Sequence, residues 1–358
     1  MKLLTNMAIL LTLVSFAASC ESGTGVYVDS GKDVVLTADR LAAFVEREDP
    51  VIMTVTEDGR NVTSSSRVFF YKEGDAESSA RVLQSDSFVP ASEGRYILFA
   101  EHDGQRSASI YIEALSLETY ESIYVRDICA MEFTGAWCTM CPDGLTYMNN
   151  AISLPMYDFQ DKVHIMAFHS DSSGADALAI PATDEMFEAF SLGGYPSFVT
   201  DLRTPGGLSD GMDFLASLQE SCSDYPAHCS VAVTSEVSGG TAKISVMLAS
   251  ELSLPYRVAV FVVEDGINYP QKGVLVPDDY VHFHVVRKVV SSSWKGDRIG
   301  AGIIASGAVA EKSFTVAVDP QWQIENTSVY VLAVDYAGYV NNMNICSLVD
   351  GHSDYKLK

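Results

Sequence analysis

Residues Ile128 to Phe133 form an apolar run broken only by Glu132, and it leads within a few residues into Trp137-Cys138-Thr139-Met140-Cys141-Pro142 and a stretch of helical pattern, Asp143 to Ile152. A run this short and apolar reads as a buried strand. The chain must therefore turn sharply from strand to helix and place two thiols in the turn. Pro142 is acceptable there because the first helical turn has N–H groups without intrahelical partners. A thiol at a helix N-terminus feels the positive end of the helix dipole and nearby N–H donors, which favour the thiolate. Cys138 is the expected nucleophile. Cys141, one turn further on, is expected to resolve a mixed disulfide formed on Cys138. Glu132, inside the strand, is expected to be buried, with a raised pKa, and to exchange the Cys141 proton. The other reading makes Glu132 an edge-strand acid in water, since Glu is seldom buried unpaired. Downstream, Gly194-Tyr195-Pro196-Ser197-Phe198-Val199 sets a Pro between a turn and an apolar strand. Pro cannot sit inside a central ladder, and a cis bond is the natural alternative.

The pattern around this segment predicts three folded regions in 358 residues. Within 31–115, runs at Val34–Thr37, Val51–Thr56, Val68–Tyr71, Tyr96–Ala100 and Ser109–Ile112, divided by Asp58-Gly59, Glu73-Gly74, Glu93-Gly94 and Asp103-Gly104, predict a small β-sandwich. It resembles the Ig-like modules of bacterial surface proteins. Within 116–227, strands at Ile128–Phe133, Val163–Phe168 and Ser197–Thr200 alternate with helices at Asp143–Ile152 and Thr183–Ser191, the latter capped by Thr183. Leu208, Met212, Leu215 and Leu218 lie at helical spacing and read as core packing. Within 228–358, strands at Val231–Val237, Lys243–Leu248, Tyr256–Val263, Val281–Val290, Ser313–Val318 and Ser328–Asp335 predict a second sandwich. The fold class expected is thus multidomain: an Ig-like β-sandwich, a central α/β domain and a C-terminal all-β sandwich.

The chain opens with Met1-Lys2 and an apolar stretch to Ala18, too short to span a bilayer, which reads as a signal peptide over 1–19. Ala17-Ala18-Ser19-Cys20 resembles a bacterial lipoprotein cleavage site, with Cys20 lipidated and residues 20–30 a tether; ordinary secretory cleavage nearby, leaving Cys20 free or removed, is the other reading. With 23 Lys and Arg against 47 Asp and Glu, a formal charge of −24, a phosphate-binding surface is not expected, so nucleic acid is excluded as a partner. Export makes disulfides possible. Cys222 and Cys229 close a short loop around Pro226 and are read as a candidate pair, Cys129 as a buried free thiol, and Cys346 is unassigned. No second C-x-x-C accompanies the first, so a zinc centre is not expected, and no cofactor is called for. His282 and His284 are predicted on one face of a strand as hydrogen-bonded side chains, while His169 and Asp171 follow a core strand close enough to approach the thiols.

Trp137-Cys138-x-x-Cys141 with Glu132 and Tyr195-Pro196 resembles the thioredoxin superfamily over about 110 residues. The resemblance implies that Cys138 attacks, Cys141 resolves, Glu132 is the buried acid, and Trp137, Tyr195 and the cis Pro196 contact substrate. Thr139-Met140 stands where the superfamily usually has Gly-Pro, so no redox potential carries over. The stretch Ser170–Ser191 looks like an insertion and a possible lid. Glu132-Phe133-Thr134-Gly135 before the thiols, with Val262-Val263-Glu264-Asp265-Gly266 and Asp279-Tyr280-Val281-His282-Phe283-His284 beyond them, is similar to the outer membrane protein twenty-eight-related lipoproteins of Bacteroidetes. That similarity implies a lipid anchor at Cys20 in the outer membrane, on its periplasmic or surface face. The expected activity is thiol–disulfide exchange with exported protein thiols or disulfides. The alternative is a non-enzymatic binding or adhesive lipoprotein whose C-x-x-C is a structural disulfide.

Overall fold

A computed structural model describes residues 33–47 and 49–358. The predicted signal peptide, Cys20 and the whole of the 20–30 tether lie outside them. The N-terminal module packs two small sheets face to face. Val34–Ala38 pairs antiparallel with Val51–Glu57. In the facing sheet Gly94–His102 lies between Arg67–Lys72 and Ile110–Leu115, and Ala42–Phe44 runs parallel to the latter. Side chains alternate across a strand, so Val51, Met53 and Val55 turn inward against Leu98, Ala100 and Ile112 while Ile52 faces water. The module rests on the C-terminal region. Leu41 N–H donates to the Ser253 carbonyl at 3.0 Å, and the Arg40 guanidinium lies 4.2 Å from the Tyr336 ring centre.

The central region begins with β1 (Ile128–Thr134), followed by α1 (Cys141–Ile152), β2 (Val163–His169), α2 (Pro181–Ala189), β3 (Ser197–Thr200), β4 (Thr204–Gly207) and α3 (Met212–Asp224). Strand β1 is buried along its whole length because it is flanked on both edges, by parallel β2 and antiparallel β3. Its even-numbered residues Ile128 and Ala130 face α1 and α3, through Met148, Ile152, Phe214 and Leu218. Its odd-numbered residues Met131 and Phe133 face Met186 of α2. Helix α1 buries Cys141, Gly144, Met148, Ala151 and Ile152, a one-sided spacing that sets its first residue over the sheet.

The C-terminal region comprises β5 (Cys229–Ser238), β6 (Thr241–Ser250), β7 (Leu254–Glu264), β8 (Val285–Val289), β9 (Asp297–Ile304), β10 (Val309–Ala317), β11 (Thr327–Val334), β12 (Val340–Ser347) and β13 (Gly351–Ser353). It is joined to the central region through one sheet, in the order β4-β3-β1-β2-β8-β7-β11-β12, with β2 meeting β8 at Ala167 and Val285. A second sheet, β10-β6-β5-β13, covers the far end of the first. Val231, Val233, Ile244 and Val246 from one sheet meet Val258, Val260, Val329 and Val331 from the other, as sandwich packing requires. Each such side chain contributes about 1.5–3 kcal/mol on burial. The chain is mostly β, with three α-helices among the described residues.

Several local expectations are corrected. Helix α2 starts earlier than predicted, with Ile180 as N-cap and Pro181 opening the helix, so Thr183 is a buried interior residue rather than a cap. Leu208 precedes α3, whose N-cap is Gly211 in a left-handed conformation (φ +81°). The run predicted as one strand over Val281–Val290 is broken at His284, which has φ +58°. His282 and His284 therefore do not share a strand face: His282 approaches the Tyr269 carbonyl, and His284 faces Asp265. No Cys222–Cys229 disulfide forms. Cys229 is buried at the start of β5 with its thiol on Asn341 Oδ1 at 3.2 Å, whereas Cys222 is exposed on α3, and both are free thiols, as are buried Cys129 and Cys346. Strands β9 and β12 were not anticipated.

Candidate functional site

Cys138 and Cys141 form a disulfide, with their Cα atoms 5.5 Å apart. Cys141 is the first residue of α1, capped by Met140, so Cys138 stands in the turn ahead of the helix rather than on it. That turn is held by a hydrogen bond from Cys138 N–H to the Gly135 carbonyl at 2.9 Å. Trp137 indole N–H donates to the Ser170 carbonyl at 2.7 Å, and its ring meets Tyr195 edge-on at 5.3 Å. Gly135 lies so close beneath that ring that a Cβ would come within 2.7 Å of the indole nitrogen. The Tyr195–Pro196 peptide bond is cis. Pro196 lies against α1 at Gly144, where an added Cβ would be 2.7 Å from the proline ring. The structure thus brings Cys138, Cys141, Trp137, Tyr195 and Pro196 together. Beside them runs an open groove of about 530 Å³ lined by Met140, Leu192, Tyr195, Pro196, Gly206 and Leu208.

Glu132 is 2% exposed, which overturns the edge-strand reading. Strand alternation turns it to the α1 face with Ile128 and Ala130, where it lines one small space with Cys141. Burial pushes its carboxyl up to about 8, against a hydrogen bond from the Thr134 hydroxyl that lowers it. In the unfolded chain a Glu titrates near roughly pH 4.3. The folded state therefore keeps a proton that the unfolded state releases across this window. Its contribution is fully present below pH ~4 and is lost as pH rises towards 8, by about 1.4 kcal/mol per pH unit. Glu132→Gln is expected to flatten that slope in urea midpoints measured from pH 5 to 8 on the oxidised protein (~1 unit steps). A slope that persists in the variant would assign the dependence to another group.

Sequence reasoning missed the cover over this turn. Between β7 and β8 the chain crosses to the thiols as a strap, pinned by the short ladder of Ile267–Asn268 with Val281–His282. Gln271, 3% exposed, donates its amide to the Cys138 carbonyl at 2.8 Å and to the Gly135 carbonyl at 3.4 Å. Lys272 N–H donates to the Ala136 carbonyl at 2.8 Å. Gly273, at φ +87°, presses so closely on Thr139 that a Cβ would lie 2.1 Å from its carbonyl oxygen. Under the strap, Cys138 is 5% and Cys141 2% exposed.

Behind Cys141 is a small, partly open space of about 20 Å³ lined by Glu132, Thr134, Cys141, His169, Tyr280 and His282. His169 Nδ1 is 2.7 Å from Asp176 Oδ2, and the same oxygen accepts from Ala136 N–H at 2.7 Å. Burial alone would raise the Asp176 carboxyl. Its hydrogen bond with His169, the charge of that ring, and the N–H groups of Ala136 and Leu178 outweigh burial and hold it low. Asp176 carried no sequence signal, and Tyr280 and His282 stood out only in the Asp279–His284 segment of the resemblance and as a strand-face histidine, not as neighbours of the thiols. Of the pair noted beside the core strand, His169 reaches the site and Asp171 is exposed. Glu57, His102 and Asp103 offer ligand atoms within 4.8 Å of one another, but they lie in the N-terminal module. Among the described residues no helix is long and apolar enough to cross a membrane.

No curated protein matches the chain. Among solved structures, HBP35 of Porphyromonas gingivalis is similar in fold, with TM-score 0.55 and 17% identity over 66% of this chain and 81% of that one. A DUF4785 family protein of Legionella pneumophila aligns over 87% of this chain and 56% of its own, at 7% identity and TM-score 0.22, too low to carry a fold argument. The region from within α2 to the end of the β12 strand, residues 186–348, which includes Tyr195, Pro196 and the strap but not Cys138 or Cys141, matches the family described as outer membrane protein Omp28.

Proposed function

We propose that this chain is an envelope protein, anchored to the outer membrane through a lipidated Cys20, whose region 116–227 is a thioredoxin-like domain exchanging disulfides with exported proteins. The Cys138 thiolate attacks a substrate disulfide, and Cys141 resolves the mixed disulfide to give the Cys138–Cys141 bond. Glu132 takes the Cys141 proton, and the groove beside Trp137, Tyr195 and Pro196 holds the partner chain. The observation that carries this reading is the Cys138–Cys141 disulfide at the N-terminus of α1, set against a cis proline and sharing one small space with a buried, protonatable Glu132. The Omp28 match over 186–348 supports the envelope location.

One observation favours a second reading. The disulfide is nearly inaccessible under the strap, with Gln271 bonded to the Cys138 carbonyl, as suits a structural bond in a surface binding protein. The reduction potential of the pair separates the two. A working exchange pair is expected at roughly −120 to −270 mV in defined thiol buffers. A value below about −300 mV, or a pair no thiol buffer reaches, would make the disulfide structural.

A further inference from the structure

The strap and the end of β2 bring two histidines to the back of the thiol pair, and their hydrogen bonds decide which can accept a proton. Thr134 and His169 are register partners on β1 and β2, as are Glu132 and Ala167, so Glu132, Thr134 and His169 share the face turned to α1. His169 and His282 stand with ring centres 5.1 Å apart. His282 approaches the Tyr269 carbonyl with Nε2 at 3.1 Å, so that nitrogen carries the proton. Burial first, and then any positive charge taken up by the neighbouring His169, push His282 down to about 4, so it stays neutral at neutral pH. His169 differs. Its Nδ1 faces the Asp176 carboxylate, so Nδ1 carries the hydrogen and Nε2 is the basic nitrogen. It alone of the two rings has an anion in contact to compensate a positive charge. The ionisable groups around it are Glu132 on β1, Cys141 on α1, Asp176 on the loop after β2, and Tyr280 and His282 from the strap. The 20 Å³ space they share is large enough for one water, which needs only about 10–15 Å³.

We infer that His169, oriented by Asp176, is a second proton acceptor for Cys141, working with Glu132 across the small space they share when the mixed disulfide is resolved. This rests on the exchange activity proposed above. In the step, the Cys141 S–H proton passes to Glu132 and on to His169 Nε2. The Cys141 sulfur bonds to Cys138 Sγ, the Cys138–substrate S–S bond breaks, and the departing substrate thiolate takes up a proton. The dithiol is oxidised to the disulfide and the substrate disulfide is reduced to two thiols, with no further reactant. Asp176 takes no proton in the step: it is a positioning residue that fixes the ring and also holds Ala136 N–H in the turn before Cys138.

The test uses the full chain carrying Cys20→Ser and Cys222→Ser, since Cys222 is the exposed free thiol among the described residues. The reduced protein is mixed with the aromatic disulfide DTNB. Attack by Cys138 releases a first nitrothiobenzoate, and attack by Cys141 on the mixed disulfide releases a second. His169→Gln should leave the first release unchanged, slow the second by roughly 10²-fold and remove an inflection from its pH profile. Asp176→Asn should slow the second release by a smaller factor. Second-phase rates and profiles that stay as in the parent would overturn the inference. No release from the thiol pair in the parent would instead sink the exchange reading. Independently of folding in any variant, ¹⁵N spectra of the His169 ring should differ between the dithiol and disulfide states of the parent, and identical spectra would overturn the relay.

Discussion

Cys138→Ser is expected to abolish disulfide exchange, a loss on the order of 10³-fold or more in turnover of a disulfide-bonded protein substrate, because a hydroxyl neither ionises near neutral pH nor forms an S–S bond. Cys141→Ser should behave differently. It keeps the attacking thiol and removes the resolving one, so mixed disulfides accumulate on Cys138 and can be isolated under non-reducing conditions. The burial of Cys138 beneath the strap sets a further condition on these outcomes. On the exchange reading, the open groove beside Pro196, lined by Met140 between the two thiols, is the proposed approach for a substrate. Exchange that continues unchanged in Cys138→Ser would remove the activity from this pair altogether.

The second large effect concerns stability. Asp201 is 2% exposed, with φ +53° at the end of β3, and its carboxylate meets Arg126 Nη2 at 2.6 Å and Cys129 N–H at 2.9 Å. Arg126 reaches from the same point to the Tyr225 carbonyl at 3.1 Å, to Ser221 Oγ at 3.1 Å and to the Val340 carbonyl at 3.3 Å. Val340 N–H in turn donates to the Asp201 carbonyl at 2.9 Å. One ion pair therefore ties β1, β3, α3 and β12 together. Arg126→Met keeps much of the side-chain volume but leaves a buried carboxylate without its cation, and is expected to cost about 3–5 kcal/mol. The urea midpoint should fall with little change in slope. A loss under ~1 kcal/mol would mean that the pair is solvated like a surface bridge.

What was legible in the sequence was local. The strands at Val51, Ile128, Val163 and Ser197 and helix α1 follow from apolar spacing, and each is present. Breaks in backbone conformation were less legible. The left-handed turn at His284 interrupts an apolar run that reads as continuous, because periodicity records which side chains are apolar and not where φ changes sign. Strand β12 was missed because Asn341, Asn342 and Asn344 look like a loop. In the fold their amides are buried and serve as partners for backbone groups at the start of β5 and beside it: Asn342 donates to the Val125 and Cys229 carbonyls at 2.9 Å, and Asn344 to the Val231 carbonyl at 2.7 Å. A buried amide is tolerated only when so satisfied, and sequence does not show its partners.

The same division holds at the thiols. Cys138, Cys141 and Glu132 lie within ten residues of one another, so strand alternation and the strand-to-helix turn suffice to set the carboxyl on the helix side of the sheet. Tyr195 and Pro196 were recognisable because a proline before an apolar strand has few permitted places. Gln271, Tyr280 and His282 come from more than a hundred residues away; the Gln271 contact with the Cys138 carbonyl spans 133 positions. They arrive because β2 and β8 join the two regions in one sheet, and that pairing depends on strand order and register, which local spacing leaves open. The sequence by itself determined the Cys138–Cys141 pair at the strand-to-helix turn and the acid on the helix side of the sheet. Only the tertiary structure decided that the pair is covered, and that a histidine held by Asp176 lines the space behind Cys141.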